Sequence, residues 1–504
     1  MKKKSFQSYF LCVFALAGMA FSSNSFARDF YEFSHFQLNA PFNISQEPIR
    51  ANILPNMGKE IIVIGEKNNI PQLALFAFEE TEKQYKQILH IDLSNAYFGF
   101  DVSDENTSGE QSLYFLASDK VVRFEPSLKQ PFVDLVNVSS IYVNQDADYL
   151  KQANFVTDLN NDGLSDVILS DFRSLNIYLN QGNSSFVKQS LPINPTVEIF
   201  DGSVSYTEKP YYLIDTNFDQ QKDIVISGNG ELLTFAQNNS GQFLTIAKSI
   251  PVNKQITSTN WWDSRGADGK NLDQSDFSHR SVDTLKDINN DDIPDLIVRF
   301  TKSSGVLDKS NDYEVYLGSK KLGKLTYNSN ADTAIKSEGT LAQLDFVDLN
   351  SDDRHEVMAS SFDISVSQII GALLTGSVDQ DVLIFALDSK QRYQQRISEQ
   401  VQMKFSLSSG RSGAPVIKLA DLDGDGAKEL ILSEDENQLK IFPGLKKGNI
   451  LHKHSQILDI RLPSNGALLT SEDLNLDGKD ELIVRYASED GVDKQSRLLI
   501  LQVN

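Results

Sequence analysis

The chain has 504 residues, carries 69 acidic against 47 basic side chains, and has a formal net charge of −22. Such an acidic surface repels the phosphates of nucleic acids and of anionic lipids, so we expect neither as a partner. Length alone would suggest about three domains. A motif that recurs along the chain instead favours a single repeat architecture.

The first 27 residues have the composition of a secretory signal peptide. Lys2, Lys3 and Lys4 form a positive start, Tyr9 to Phe21 is apolar but too short to span a bilayer, and Ser25-Phe26-Ala27 resembles a cleavage site. The alternative is a buried first helix. We predict cleavage after Ala27 and export to the periplasm, the cell surface or the medium. The mature chain, residues 28–504, would form one domain without membrane insertion.

The single cysteine, Cys12, lies inside this predicted signal peptide. The mature chain would therefore enter an oxidising compartment without any disulfide, although exported domains often depend on them. Another source of stabilisation is expected.

Six nine-residue segments share the form D-x-[DN]-x-D-x-x-x-[DE], and an aliphatic run typical of a β-strand follows most of them. They recur at intervals of roughly 50–75 residues, a spacing typical of repeat proteins. Positions 1, 3, 5 and 9 carry side-chain oxygens in every copy. These residues are Asp158, Asn160, Asp162 and Asp166; Asp215, Asn217, Asp219 and Asp223; Asp287, Asn289, Asp291 and Asp295; Asp348, Asn350, Asp352 and Glu356; Asp421, Asp423, Asp425 and Glu429; and Asp473, Asn475, Asp477 and Glu481.

Oxygen ligands at alternate positions of a short loop, without histidine or cysteine, favour Ca²⁺ over zinc, copper or Mg²⁺. The sixth position needs a left-handed backbone, which glycine adopts in three loops and which Asp292 and Asp353 tolerate. Gln220 suits that conformation poorly, so the loop at Asp215 should bind most weakly. An EF-hand is excluded, because position 12 is never glutamate and the flanks are strands, not helices. The remaining alternative is a polar turn that binds no metal.

The elements around each acidic loop repeat as strand A, the loop, and then strands B, C and D. Together they form one four-stranded blade of an all-β propeller. Two degenerate units, at Asn52–Glu60 and Asp104–Ser112, precede the six regular ones and bring the total to eight. The last unit lacks a fourth strand. The N-terminal strand, Phe30–Leu38, would complete it and so close the ring. Seven blades with a separate N-terminal strand is the alternative.

The loops resemble the FG-GAP/VCBS repeats of calcium-binding β-propellers, which include the integrin α-chain head. The similarity is strongest where Gly413-Ala414-Pro415 precedes Asp421-Leu-Asp423-Gly-Asp425-Gly426. It implies a propeller fold and structural calcium at the loop positions given above. The family includes adhesion modules, lectins and polysaccharide lyases, so the resemblance does not choose among activities.

Four long segments between the predicted strands should lie on the face opposite the acidic loops, because each joins strand B to C or strand D to the next A. They are Thr257–Val282, Thr301–Asp312, Ser360–Gln380 and Ser406–Ala414. Elaborated loops on one face of a rigid scaffold are typical of recognition sites.

The first of these segments contains both tryptophans, Trp261 and Trp262, with Arg265, His279 and Arg280 nearby. Aromatic platforms beside arginine and histidine are typical of sugar- or peptide-binding sites, although one tryptophan could simply anchor the loop.

The sequence therefore predicts an exported binding or adhesion module for carbohydrate or protein partners. One alternative is a polysaccharide lyase or hydrolase with His279 as the base and Arg265 and Arg280 beside the substrate. Another is a subunit of a cell-envelope complex. The chain contains no nucleophile elbow, zinc triad or phosphate loop, and we assign no catalytic residue.

Overall fold

The computed structural model describes residues 30–55, 58–79, 81, 84–106, 108–142, 150–200, 203–259, 277–305, 308–362, 375–406 and 411–504. The predicted signal peptide and the loop residues Trp261, Trp262 and Arg265 lie outside this described part. No helix in the described part is long and apolar enough to cross a bilayer.

Eight antiparallel sheets follow one another along the chain as the blades of a β-propeller, as predicted. In each blade strand A pairs with B, B with C, and C with D. Blade 1 contains a divided strand A (Asn43–Ile44 and Ile49–Ala51), Glu60–Lys67, Ile70–Glu79 and Gln84–Asp92. Blade 2 contains Tyr97–Val102, Leu113–Ala117, Lys120–Phe124 and Phe132–Asn137, with Lys151–Gln152 added parallel to strand A. Blade 3 contains Val156–Thr157, Asp166–Asp171, Ser174–Asn180 and Phe186–Leu191. Blade 4 contains Tyr211–Ile214, Asp223–Ser227, Glu231–Phe235 and Lys248–Pro251.

The second half of the ring repeats the same order. Blade 5 contains Phe277–Lys286, Asp295–Gly305, Asp308–Tyr316 and Thr333–Ile335. Blade 6 contains Thr340–Val347, Glu356–Phe362, Ser377–Leu387 and Tyr393–Ser406, with Arg411–Gly413 added beside strand D. Blade 7 contains Ile417–Ala420, Glu429–Asp435, Gln438–Phe442 and Gln456–Asp459. Blade 8 contains Leu469–Glu472, Glu481–Arg485, Arg497–Val503 and the N-terminal strand Phe33–Asn39.

Smaller elements decorate the blades. The hairpin Thr196–Phe200/Ser203–Thr207 joins blade 3 to blade 4, and the hairpin Ser319–Lys321/Lys324–Thr326 joins strands C and D of blade 5. Two 3₁₀ helices, Gly466–Leu468 and Ser488–Asp490, lie before strand A and after strand B of blade 8.

The N-terminal strand closes the ring. It pairs antiparallel with strand C of blade 8 over seven residues, from Phe33 opposite Val503 to Asn39 opposite Arg497. This pairing covers the backbone groups that strand C would otherwise present to solvent. The prediction of eight blades with an N-terminal closing strand is confirmed.

The core consists of eight hydrophobic clusters, one at each junction between neighbouring blades. Strand B of blade 4 illustrates how a strand serves two of them: Ile224 and Ile226 pack towards blade 3, whereas Val225 packs towards blade 5. Because both faces of the strand are buried, its sequence is continuously apolar. Each such side chain contributes about 1.5–3 kcal/mol of burial free energy.

All four predicted long loops contain strand residues, the first from Phe277 onwards and the fourth at Arg411–Gly413. Most of Thr301–Asp312 belongs to strands B and C of blade 5, which continue as a hairpin through Gly305 and Asp308. The prediction of a loop there is wrong. In the third segment the strands continue to Phe362 and resume at Ser377. The strand order nevertheless places all four connections at the ends of the strands opposite the acidic loops.

Candidate functional site

The six acidic segments form the A–B loops of blades 3 to 8, and all of them adopt one conformation. The first aspartate accepts a hydrogen bond from the backbone N–H of the sixth residue, as in Asp158 with Gly163 at 2.8 Å. The same contact recurs in the other five loops at 2.7–3.0 Å. The sixth residue has a positive φ in every loop, as predicted, and even Gln220 adopts φ 70°.

The fourth residue of each loop is also left-handed, which the sequence analysis missed. Phe218 has φ 63° and Leu476 has φ 60°, although left-handed backbone costs such residues roughly 1 kcal/mol each. The other four loops have asparagine, serine or glycine there, at Asn161, Asn290, Ser351 and Gly424. The left-handed backbone at the fourth position is therefore imposed by the loop as a whole and not by the type of residue found there.

The ninth residue is a carboxylate buried at the start of strand B. It accepts a hydrogen bond from the second residue of its loop, as in Glu481 with the N–H of Leu474 at 2.8 Å. Burial raises the pKa of these groups, to about 6 for Asp166, about 7 for Glu429 and about 8 for Glu481. A carboxylate held in so dry a position needs a proton or a cation beside it.

Several oxygens in these loops lack a donor. The third-position amide oxygens of Asn217, Asn289 and Asn350 are buried without a hydrogen-bond partner, and so is Oε1 of Glu481. Buried acceptors without donors are rare in folded proteins. In blade 7, carboxylate oxygens of Asp421, Asp423 and Glu429 lie within 4.8 Å of one another. An all-oxygen set of this kind fits a hard divalent cation such as Ca²⁺.

The degenerate loop of blade 2 is organised differently. Asn106 accepts backbone hydrogen bonds from Ser108 and Glu110, and Asp104 accepts one from the hydroxyl of Thr157 in the next blade. Its polar groups therefore stabilise a turn and a contact between blades.

The described residues of the predicted ligand site are already engaged. Nε2 of His279 lies 2.8 Å from the carbonyl oxygen of Thr259. The guanidinium of Arg280 donates two hydrogen bonds of 2.9 Å to Glu314 and lies 4.1 Å from the ring centre of Phe300. Both side chains thus hold strand A of blade 5 in place. Trp261, Trp262 and Arg265, the other residues of this predicted site, lie outside the described residues.

A cavity of about 1360 Å³ lies along the inner strands of blades 2, 3 and 4. Its wall contains the aromatic side chains Phe98, Tyr142, Phe172, Tyr206 and Tyr211 and the carboxylates Asp101 and Glu208. Sequence reasoning missed this cavity, since its wall comes from segments that are far apart in the chain.

Two aromatic residues form the rim of this central cavity on the face opposite the acidic loops. Phe172, in the B–C turn of blade 3, contacts Tyr206 of the blade 3–4 hairpin edge-to-face, with ring centres 4.9 Å apart. Both are exposed, by 43% and 39%. Below them, Glu208 accepts hydrogen bonds from the hydroxyls of Tyr142 (2.5 Å) and Ser170 (2.8 Å). In the sequence, the alternating residues on either side of Asp201-Gly202 are a pattern from which this hairpin could have been predicted.

Comparison with known proteins assigns no family to the chain. No family model matches the chain, and no curated protein matches it. Among solved structures, it is similar to an Agrocybe aegerita lectin that recognises non-reducing terminal N-acetylglucosamine, at 14% identity, TM-score 0.39, and coverage of 82% of this chain and 94% of that one. It is also similar to the Nup133 β-propeller domain of Vanderwaltozyma polyspora, at 12% identity, TM-score 0.38, and coverage of 88% and 100%.

A third similar structure is a putative 6-phosphogluconolactonase from Bacteroides uniformis, at 10% identity, TM-score 0.34, and coverage of 82% and 98%. These similarities extend over most of each chain, but at this level of identity they assign neither a ligand nor an activity to this protein.

Proposed function

We propose that this protein is an exported, calcium-stabilised β-propeller that acts as a binding module for carbohydrate. The acidic loops would hold Ca²⁺ through their side-chain oxygens at positions 1, 3, 5 and 9, and the metal would neutralise buried carboxylates that otherwise repel one another. In this role calcium supplies stability in place of disulfides. The signal-peptide composition of residues 1–27 supports export.

The observation that carries the binding role is the aromatic rim of the central cavity. Exposed aromatic rings at the mouth of a cavity offer a stacking surface, and the faces of sugar rings are apolar enough to pack on them. Glu208 in the wall is half-buried, and each of its oxygens, which already accepts one hydrogen bond, has a second lone pair for a sugar hydroxyl. The cavity is large enough for a short oligosaccharide.

A lyase or hydrolase is the weaker proposal. The guanidinium of Arg280 is already paired with Glu314 and so is not free to neutralise a uronate beside His279. Of the two arginines that the sequence assigns to the substrate, Arg280 is thus committed to a structural ion pair, which weakens the electrostatic support for proton abstraction by His279.

Glycan-array binding tests the proposal. We expect binding of defined oligosaccharides to fall at least tenfold in Tyr206→Ala and in Phe172→Ala, because each removes an aromatic platform. Ile246→Ala is the matched control, since Ile246 is 82% exposed in the C–D connection of blade 4, on the face of the acidic loops. Absence of glycan binding, or equal loss in the control, would overturn the proposal.

A further inference from the structure

A second cavity, of about 650 Å³, lies on the same face as the acidic loops, between blades 6 and 7. Its wall includes Asn350 and Arg354 from the A–B loop of blade 6, Arg396 from strand D of that blade, and Lys453 from the C–D connection of blade 7. We call this the blade 6–7 cleft. It is separate from the central cavity, and no residue of the aromatic rim contributes to it.

Arg354 is the unusual residue of the cleft. Its Nε and Nη2 atoms are buried, yet neither has a hydrogen-bond partner. Arg354 as a whole is half-buried, and these two donors have lost their hydration without gaining a hydrogen bond from the described residues, which is unfavourable. Because Arg354 lines the cleft, an acceptor on a ligand bound there would offset this cost.

The other positive groups of the cleft are also available. Within the described residues, neither Arg396 nor Lys453 forms an ion pair. The nearby acid Glu399 is neutralised by Lys440, at 3.3 Å. Buried Glu356 and exposed Asp352 belong to the acidic loop of blade 6, where each accepts a backbone hydrogen bond. The cleft thus combines three basic residues without a described ion pair, Arg354, Arg396 and Lys453, with three carboxylates that each already accept a hydrogen bond.

We propose that the blade 6–7 cleft binds the carboxylate of a small acidic saccharide, with Arg354 as its anchor. A guanidinium presents paired donors that match the two oxygens of a carboxylate. The amide side chains of Gln395 and Asn449 in the wall suit the sugar hydroxyls. The volume falls within the range of small-ligand sites. The site adds an anionic ligand on the face that the sequence alone assigned to the scaffold.

Titration calorimetry in calcium-containing buffer tests this site, with glucuronate and galacturonate as probes and glucose, galactose and acetate as comparisons. We expect a uronate to bind at least tenfold more tightly than its neutral counterpart, and Arg354→Gln to weaken uronate binding at least tenfold. Arg392→Gln is the matched control, because Arg392 lies in the C–D turn of blade 6, where it pairs with Asp388 at 3.1 Å outside the cleft.

Melting curves establish that each variant is folded. If Arg354→Gln fails to fold, the variants Arg396→Gln and Lys453→Gln, at exposed positions, replace it in the test. Each should weaken uronate binding several-fold. No uronate binding, equal binding of neutral sugars, equal binding of acetate, or the same loss in Arg392→Gln would each overturn the proposal. Because Tyr206 and Phe172 lie outside the cleft, their Ala variants should retain uronate binding, which separates this test from that of the central cavity.

Discussion

The side-chain amide of Gln456 holds the backbone of Tyr31 from both sides. Its Oε1 accepts a hydrogen bond from the N–H of Tyr31, and its Nε2 donates one to the carbonyl oxygen of Tyr31, each at 2.8 Å. The N–H of Phe30 also donates to Oε1, at 2.7 Å. Gln456 begins strand D of blade 7, so it fixes the chain immediately before the strand that closes blade 8.

Gln456→Ala should lower the free energy of unfolding by about 2–4 kcal/mol, because it leaves buried backbone groups of Tyr31 without partners. Urea titration followed by circular dichroism measures this. Gln438→Ala is the control: its amide bonds Asp459 at the exposed surface, and the loss should stay within about 0.5 kcal/mol. Equal losses in the two variants would contradict the assigned role of Gln456.

Deleting residues 28–39 should cause the protein to aggregate or to form larger oligomers than the full mature chain does. The deletion exposes the backbone of Arg497–Val503 as an unpaired strand edge, which can pair with other chains. Size-exclusion chromatography with light scattering measures the outcome. Adding a peptide with the sequence of residues 30–39 should restore the molar mass of the undeleted chain; an unchanged molar mass in the deletion variant without the peptide would show that closure is dispensable.

Chelation of calcium should lower the melting temperature substantially. At a calcium concentration about 100-fold above the dissociation constant, each filled site adds roughly 2.7 kcal/mol if sites are independent. Asp421→Asn should remove more of the calcium-dependent stabilisation than Asp215→Asn, since the carboxylates of blade 7 already converge. Scanning calorimetry with calcium and with EDTA measures both. Identical melting curves in the two conditions would exclude structural calcium.

In EDTA, stability should fall as the pH rises from about 4 to about 8. The ninth-position carboxyls have pKa values raised by burial, to about 6 in Asp166, about 7 in Asp295 and about 8 in Glu481. The folded state therefore holds protons that the unfolded state has already released, and each group changes the unfolding free energy by up to about 1.4 kcal/mol per pH unit as it titrates.

Calcium should reverse this trend, because a bound cation favours the ionised carboxylates. The rise in melting temperature on adding calcium should thus increase from pH 4.5 to pH 8. A calcium effect that is constant over this range would argue that the buried carboxylates do not contact the metal.

Much of the fold could be predicted because its signals are local. Strands buried on both faces, such as the one containing Ile224, Val225 and Ile226, have an unbroken apolar sequence. Each acidic loop belongs to one repeat, so the six loops and the two degenerate units together give the number of blades. The left-handed sixth position followed from its glycines.

What the sequence did not reveal depends on contacts between distant segments. The hairpin that extends blade 5 past Thr301 contains too few apolar residues to show the alternating pattern of a strand. Its sequence therefore predicts a loop. The positive φ of Phe218 comes from the loop around it and not from phenylalanine itself. The pairing of Arg280 with Glu314, and the burial of Arg354 without an acceptor, depend on strands and blades that meet only in the folded ring.

The closing strand also has a consequence for how the chain reaches its native state. Residues 33–39 are synthesised long before their partner strand, residues 497–503. The ring therefore cannot close until that late strand has been made, and residues 33–39 must wait unpaired until then. Such a long-range pairing makes the final step slow and leaves the intermediate open to misassociation.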